Sequence, residues 1–223
     1  MKKIIAKLVF ILVAASCSNT PELETGDIKA VMLLKDAFDK SKNDKGFVDA
    51  RNLLTREQIS AAAIPILFVE LKSGQNGTLT PYPGKGLGET WLGADGATIT
   101  MERGILKASR GMGDDLMGAV SSMPAWSTIG SSSVSYTREV SYITGNNKIS
   151  KRLLVCKIKK NNTPEIIKIW EINFNTSKYE EDCKHDGLNI TNTYYLDNKN
   201  IVRQSHQYHS QTLGYIFTQR LDK

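Results

Sequence analysis

Histidine is scarce in this chain, with 3 among 223 residues, and cysteine is no commoner at 3. His185, His206 and His209 all fall late in the sequence. A Ser–His–Asp triad finds no support here, since there is no Gly-x-Ser-x-Gly elbow, and no His-Glu-x-x-His zinc motif occurs either. The run Pro83-Gly84-Lys85-Gly86-Leu87-Gly88 is rich in glycine but lacks the phosphate-loop spacing and a strand–helix frame. Asp114 and Asp115 are adjacent, and adjacent acids usually point apart. Glycosidase carboxylates instead converge across a substrate at about 5 to 9.5 Å. Asp114 is therefore left with two uses, the N-cap of a short helix or a part in catalysis. Long apolar runs are missing as well. The one at residues 8–15 is too short to span a bilayer, which takes about 20 residues.

What is present around that run is informative. Lys2, Lys3 and Lys7 precede it, and the small residues Ala14-Ala15-Ser16 lead from it to Cys17. A basic start, a short apolar stretch and small residues make a secretory signal. The segment resembles the lipobox of bacterial lipoproteins, cut just before a diacylglyceryl-modified cysteine, although Ala14 stands where Leu or Val is usual. Residues 1–16 are thus expected to be removed and Cys17 to carry the lipid. Ser18, rather than Asp, resembles lipoproteins sent on to the outer membrane. Several acyl chains at about 0.8 kcal/mol per buried CH₂ make a stable anchor. Losing three lysines takes the formal charge from +6 to +3. So small a charge, in a periplasmic compartment, argues against a nucleic-acid partner.

With Cys17 assigned to lipid, Cys156 and Cys183 remain, an even pair in an oxidising space. A disulfide between them is worth roughly 3.5 kcal/mol in the chain-entropy account. The alternative is a metal site combining a cysteine with His185, His206 or His209. His206 and His209 sit in a segment that reads as strand, where residues three apart face opposite ways. No metal is expected.

The mature chain reads as a polar tether over 17–27 followed by one mainly-β domain over 28–223. Ile28, Val31, Met32, Leu34 and Phe38 have helical spacing. Thr55 is a good N-cap for a short helix through residue 63. Pro65 opens a buried-strand candidate at 66–71. Residues 74–88, crowded with Gly and Pro, read as a long exposed loop. Thereafter the period is two. Glu89-Thr90-Trp91-Leu92 meets Ala97-Thr98-Ile99-Thr100-Met101 across a turn at 93–96. Val134, Tyr136, Val140 and Tyr142 alternate with polar residues, and Leu154, Cys156 and Ile158 share an inward face. Residues 166–174 read as a central strand apolar on both sides. In the last strand Leu213, Tyr215, Phe217 and Leu221 share a face. This spacing predicts an antiparallel sandwich or partly open barrel, with one or two short N-terminal helices.

The segment 89–116 is similar to the signature of the YjbF/GfcB lipoproteins, encoded in group 4 capsule and related exopolysaccharide operons. In that family a Trp precedes an Asp-Gly turn, a strand ends at a Gly beside a basic residue, and Gly-x-x-x-Asp-Leu follows. Those positions are Trp91, Asp95-Gly96, Arg103-Gly104, and Gly111 with Asp114, Asp115 and Leu116; the order Arg103-Gly104 reverses the family's usual Gly-Arg. The resemblance runs from about residue 30 to the end.

The resemblance implies a periplasm-facing outer-membrane lipoprotein that assists polysaccharide secretion. It implies partners in an outer-membrane β-barrel protein and periplasmic proteins of the same operon, with the polysaccharide itself a further candidate. It supplies no catalytic residues and no cofactor beyond the lipid. Three readings follow. The first is a non-enzymatic accessory protein binding the barrel or the glycan, through surface near Trp91, Trp126 or Tyr82 unless these are packed. The second is a carrier of lipid or lipoprotein, needing a large apolar cavity. The third is a glycan-modifying enzyme, needing convergent carboxylates or a metal.

Overall fold

The described residues open on two capped turns. The structure is a computed structural model that describes residues 49–83, 88–143 and 148–223. The expected helix at 28–40, the tether and Cys17 therefore lie outside the described residues. Asp49 caps a 3-10 turn, Ala50–Asn52, by accepting from Arg51 N at 2.9 Å. Thr55 then starts α1 (Arg56–Ala61): its hydroxyl accepts from Gln58 N, and Gln58 Oε1 accepts from Thr55 N. That reciprocal pair satisfies two amides the helix cannot satisfy itself. The helix ends sooner than residue 63, because Ala63 takes a φ of 56° ahead of Pro65.

Thirteen strands follow among the described residues: β1 (Leu67–Leu71), β2 (Asn76–Tyr82), β3 (Glu89–Gly93), β4 (Thr98–Glu102), β5 (Ile105–Arg110), β6 (Leu116–Ser121) and β7 (Val134–Ile143). Then come β8 (Ile149–Lys160), β9 (Glu165–Ile169), β10 (Ile172–His185), β11 (Leu188–Leu196), β12 (Val202–Ser210) and β13 (Gly214–Arg220). Twelve of them form one sheet in the order β5-β4-β3-β2-β1-β13-β12-β11-β10-β8-β7-β6, and β9 pairs β10 outside that path. Every pairing is antiparallel, and the sheet curls into a nearly closed barrel. β1 against β13, with Leu67 opposite Arg220, carries the sheet from the early strands to the last one.

The two ends of the sheet, β5 and β6, are consecutive in sequence but share no ladder. Side chains join them instead. Arg110 donates to the carbonyls of Leu116 (3.0 Å) and Met117 (3.2 Å), and Leu116 N donates to Ser109 Oγ at 3.0 Å. These bonds answer strand-edge groups that would otherwise be unpaired.

The structure corrects three sequence expectations. Residues 74–88 are not one loop, since β2 runs through them between β1 and β3. Only Leu79 is buried along β2, so no alternation marks it. Residues 166–174 are not one central strand but the hairpin of β9 and β10. It turns at Trp170 and Glu171, whose φ values are 42° and 71°. Two-residue hairpins of that kind are usually built from Asn-Gly, and Trp-Glu gives no such signal. Asp114 caps no helix, for residues 111–115 form a turn between β5 and β6.

Two cores form among the described residues. The larger fills the barrel with residues such as Trp91, Ile99, Leu116, Trp126, Ile158, Tyr194 and Ile216. The smaller lies outside the wall, where α1 and the β9–β10 hairpin cover the outer faces of β1 and β13. It contains Leu54, Ile59, Ile66, Phe68, Ile169 and Leu221, with Trp170, Phe174 and Phe217 against it.

Candidate functional site

Inside the barrel, alternation puts Tyr179, Glu181 and Cys183 of β10 on the buried face. Glu181 is fully buried, and a carboxylate there needs partners. It has four. Asn192 Nδ2 and Tyr194 Oη donate to Oε2, each at 2.7 Å. Tyr136 Oη donates to Oε1, and Arg138 Nη2 lies 2.8 Å from that oxygen. The Arg138 contact is an ion pair without hydrogen-bond alignment, as Nη2 and Nε meet no hydrogen-bond acceptor. Burial, then the charge of Glu181, push the Tyr136 and Tyr194 phenols far above their ordinary value, so both stay donors. Cys156 and Cys183 face one another across the β8–β10 ladder and are joined by a disulfide. Glu181 and both sulfurs lie within 4.8 Å, but the disulfide leaves no thiolate to bind a metal.

Close by, Ser109, His209 and Asp115 meet, a trio that sequence spacing did not reveal. Its geometry is not that of an activated nucleophile. Ser109 gives its proton to Asp115 Oδ1 at 2.9 Å and accepts from Leu116 N. His209 Nε2, 2.9 Å from Ser109 Oγ, is then the donor to it. A catalytic serine would send its proton the other way. Burial pushes the His209 imidazole below its ordinary value, against the pull of Asp114 and Asp115. His206, three residues earlier, faces outward and stacks on Tyr215 at 4.6 Å. A cavity of about 20 Å³ remains here, lined by Arg138, Val140, Tyr142, Asn192, Tyr208 and His209 among others. That is room for a water molecule or so and no more.

The family-signature residues shape turns and seams in the same half of the barrel. Trp91 is 2 % exposed, and the Arg220 guanidinium lies over its ring. Asp95 accepts from Ala97 N at 3.0 Å in the β3–β4 turn, where Gly96 has a φ of 85°. Arg103 and Gly104 form the positive-φ turn between β4 and β5. Arg103 donates to the carbonyls of Met123 and Pro124 and accepts from Trp126 Nε1. A Cβ on Gly104 would come within 2.3 Å of Val202, so no other residue fits unchanged. Asp115 closes the β5–β6 turn by accepting from Gly111 N and Met112 N. Burial works to raise its pKa, but those amides and Ser109 more than offset it and hold the carboxyl below its usual value. Asp114, half-buried, takes no part in these bonds, but its charge acts on His209, Tyr142 and Tyr208. Trp91 and Trp126 are core residues, while Tyr82 is exposed.

A larger concavity than the one beside His209 is on the outside. An open groove of about 850 Å³ runs between α1, the tip of the β9–β10 hairpin and the outer faces of β1 and β13. Trp170 and Phe217 give it aromatic surface, both packed on Phe68 with ring centroids 5.2 and 6.4 Å away. Trp170 is fixed by donating from Nε1 to Leu54 O at 3.0 Å. Around these rings stand Arg51, Glu70, Lys168, Glu171 and Gln219. Arg51 pairs with Glu70 and caps the Phe68 ring at 4.8 Å, and Arg56 donates to Leu221 O at 2.7 Å. Glu57, also at the rim, is held below the usual carboxylate value by its backbone hydrogen bond and Thr55, the opposite of a general acid.

Sequence reasoning missed both assemblies. Glu181 could have been flagged, since it shares the inward face of Cys183 two residues away. The groove could not, because it depends on reading 166–174 as a hairpin. None of the signature residues lines it.

A search of curated proteins finds no match. Among solved structures the chain is similar to the crystal structure of the hypothetical lipoprotein YmcC from Escherichia coli (K12). The TM-score is 0.67 at 18% identity, over 84% of this chain and 95% of that one, a likeness of fold. The family model for the group 4 capsule polysaccharide lipoprotein GfcB, YjbF, matches residues 33–221. The chain belongs to the YjbF/GfcB family of group 4 capsule polysaccharide lipoproteins.

Proposed function

We propose that this lipoprotein serves capsule or exopolysaccharide export as a non-enzymatic binding protein, held by Cys17 at the periplasmic face of the outer membrane, and that its groove takes the glycan. The observation that carries the reading is the groove itself: aromatic faces of Trp170 and Phe217 set among charged and amide side chains. Sugar rings present C–H faces that pack on aromatic rings, and hydroxyls that pair with such polar groups. At about 850 Å³ it has the size of a ligand site, whereas the cavity beside His209 and Arg138 holds about 20 Å³, too little for an acyl chain. A serine nucleophile at Ser109 is disfavoured, since its proton is committed to Asp115.

Calorimetric titration with oligosaccharides, cut from the exopolysaccharide of the strain that encodes the chain, tests the reading. Saturable binding that Trp170→Ala reduces at least about tenfold supports it. Binding indifferent to Trp170→Ala, or absent, overturns it. A pull-down of the lipidated chain that recovers an outer-membrane β-barrel protein, with no glycan bound, favours the barrel as the partner instead.

A further inference from the structure

The outer wall opposite the groove is built differently. On β1 and β13 the outward apolar side chains are roofed by α1 and the β9–β10 hairpin. On β6, β7 and β8 they are bare. Seven large apolar residues are exposed among the described ones, and five of them sit here: Val120, Ile143, Ile149, Leu153 and Val155, at 49 to 73%. The register gathers them on one face. Val120 and Leu153 flank Glu139 in one row across three strands, Val155 follows Leu153, and Ile143 faces Ile149 beyond the Ser141–Lys151 pair. Scattered exposed aliphatics need no explanation, but five gathered on one face with charges between them do.

The same wall is where the positive charge collects. Lys151, Lys157 and Lys159 lie on the outer face of β8, and Lys178 and Lys184 on β10, against the carboxylates Glu139, Glu180 and Asp182. Five cations less three anions give +2, most of the +3 that the whole chain carries once Lys2, Lys3 and Lys7 are removed. Three of the lysines pair with carboxylates on the wall: Lys151 with Glu139, and Lys159 and Lys178 with Glu180. Lys157 and Lys184 have no carboxylate partner among the described residues.

Exposed aliphatics between lysines match the chemistry of an anionic phospholipid surface, which takes apolar side chains at the headgroup boundary and attracts the cations around them. We propose that this wall, the outer face of β6, β7, β8 and β10, rests on anionic phospholipid, fixing the orientation of the tethered barrel and turning the groove away from the bilayer. The proposal rests on the chain's being a lipid-anchored lipoprotein and is independent of what the groove binds. The tether alone sets only a distance, whereas a seated wall sets an attitude.

The test uses the full lipidated chain in vesicles of phosphatidylethanolamine and phosphatidylglycerol. With Cys17 acylated and Cys156 bonded to Cys183, a cysteine introduced by Val155→Cys or, on the groove side, by Glu57→Cys on α1 is the sole free thiol for a dye. Nitroxide-bearing lipid is expected to quench the dye at 155 at least about threefold more than the dye at 57. Adding Leu153→Glu and Val120→Glu, both at exposed positions, removes the difference. Equal quenching at the two positions in chains that float with the vesicles overturns the proposal while leaving the anchor intact. Failure to float overturns the anchor and the proposal with it. Crosslinking through position 155 to a second copy, without quenching, makes the wall a protein interface and also overturns it.

Discussion

The barrel's interior and the shelf on its outer wall are both apolar cores, and they are held in opposite ways. The interior is closed by polar bonds: four partners on Glu181, a disulfide beside it and side-chain stitches along the β5–β6 seam. The shelf is held by aromatic packing of Phe68, Trp170 and Phe217 under a single helical turn or so, and it ends in an open groove. Buried polar networks lose heavily when one member is removed, so the interior is suited to rigidity. Open aromatic surface can exchange its contact with water for contact with a ligand. The two regions thus divide structure from recognition, and variants should separate them.

The largest effect is expected inside. Glu181→Gln leaves Arg138 buried without its counter-charge and should cost about 3 to 5 kcal/mol in denaturant unfolding. Glycan binding by the folded fraction should be unchanged. Next comes the pair Cys156→Ala with Cys183→Ala, with a loss of about 2 to 4 kcal/mol and again no change at the groove. Trp170→Ala should act in the reverse sense: a smaller drop in melting temperature than Glu181→Gln, with the groove's ligand lost. Thr55→Ala removes the cap of α1 at about 1 kcal/mol and should weaken binding only slightly, through the groove rim.

The smallest effect is on pH. His209 has a depressed pKa when folded, so the unfolded chain binds more protons once pH falls below the unfolded histidine value near 6.5. Its contribution is therefore present at pH 7 and declines as pH falls from about 6.5 towards the folded value. Melting curves at pH 7 and pH 5 should differ less in His209→Gln than in the parent chain. An equal difference in both would remove His209 from the account.

How far the sequence carried the reading follows the same division. The interior was largely legible. Period-two alternation marks β7, β8 and the β3–β4 hairpin, and it places Cys156 on the inward face. Thr55 as an N-cap also shows itself through residue type alone, and the structure adds Gln58 as its reciprocal partner. What stayed hidden depends on partners distant in sequence or on turns without the usual residues. Glu181 looks like one more surface acid until Tyr136, Arg138 and Tyr194 are brought to it from other strands. The shelf exists because Trp170 and Glu171 make a tight turn that no glycine announces. The signature residues told the family, and their own work is local. Gly104 makes way for Val202, Asp115 ties a turn, and Trp91 fills the core.

The most direct test of the division is to map amide chemical shifts by NMR while titrating the chain with oligosaccharides from its strain's own exopolysaccharide. The account predicts shifts gathered at Trp170, Phe217 and Gln219, with Glu181, Asn192 and Tyr194 unmoved. Shifts gathered at the barrel-interior residues, or at none in the groove, would contradict it.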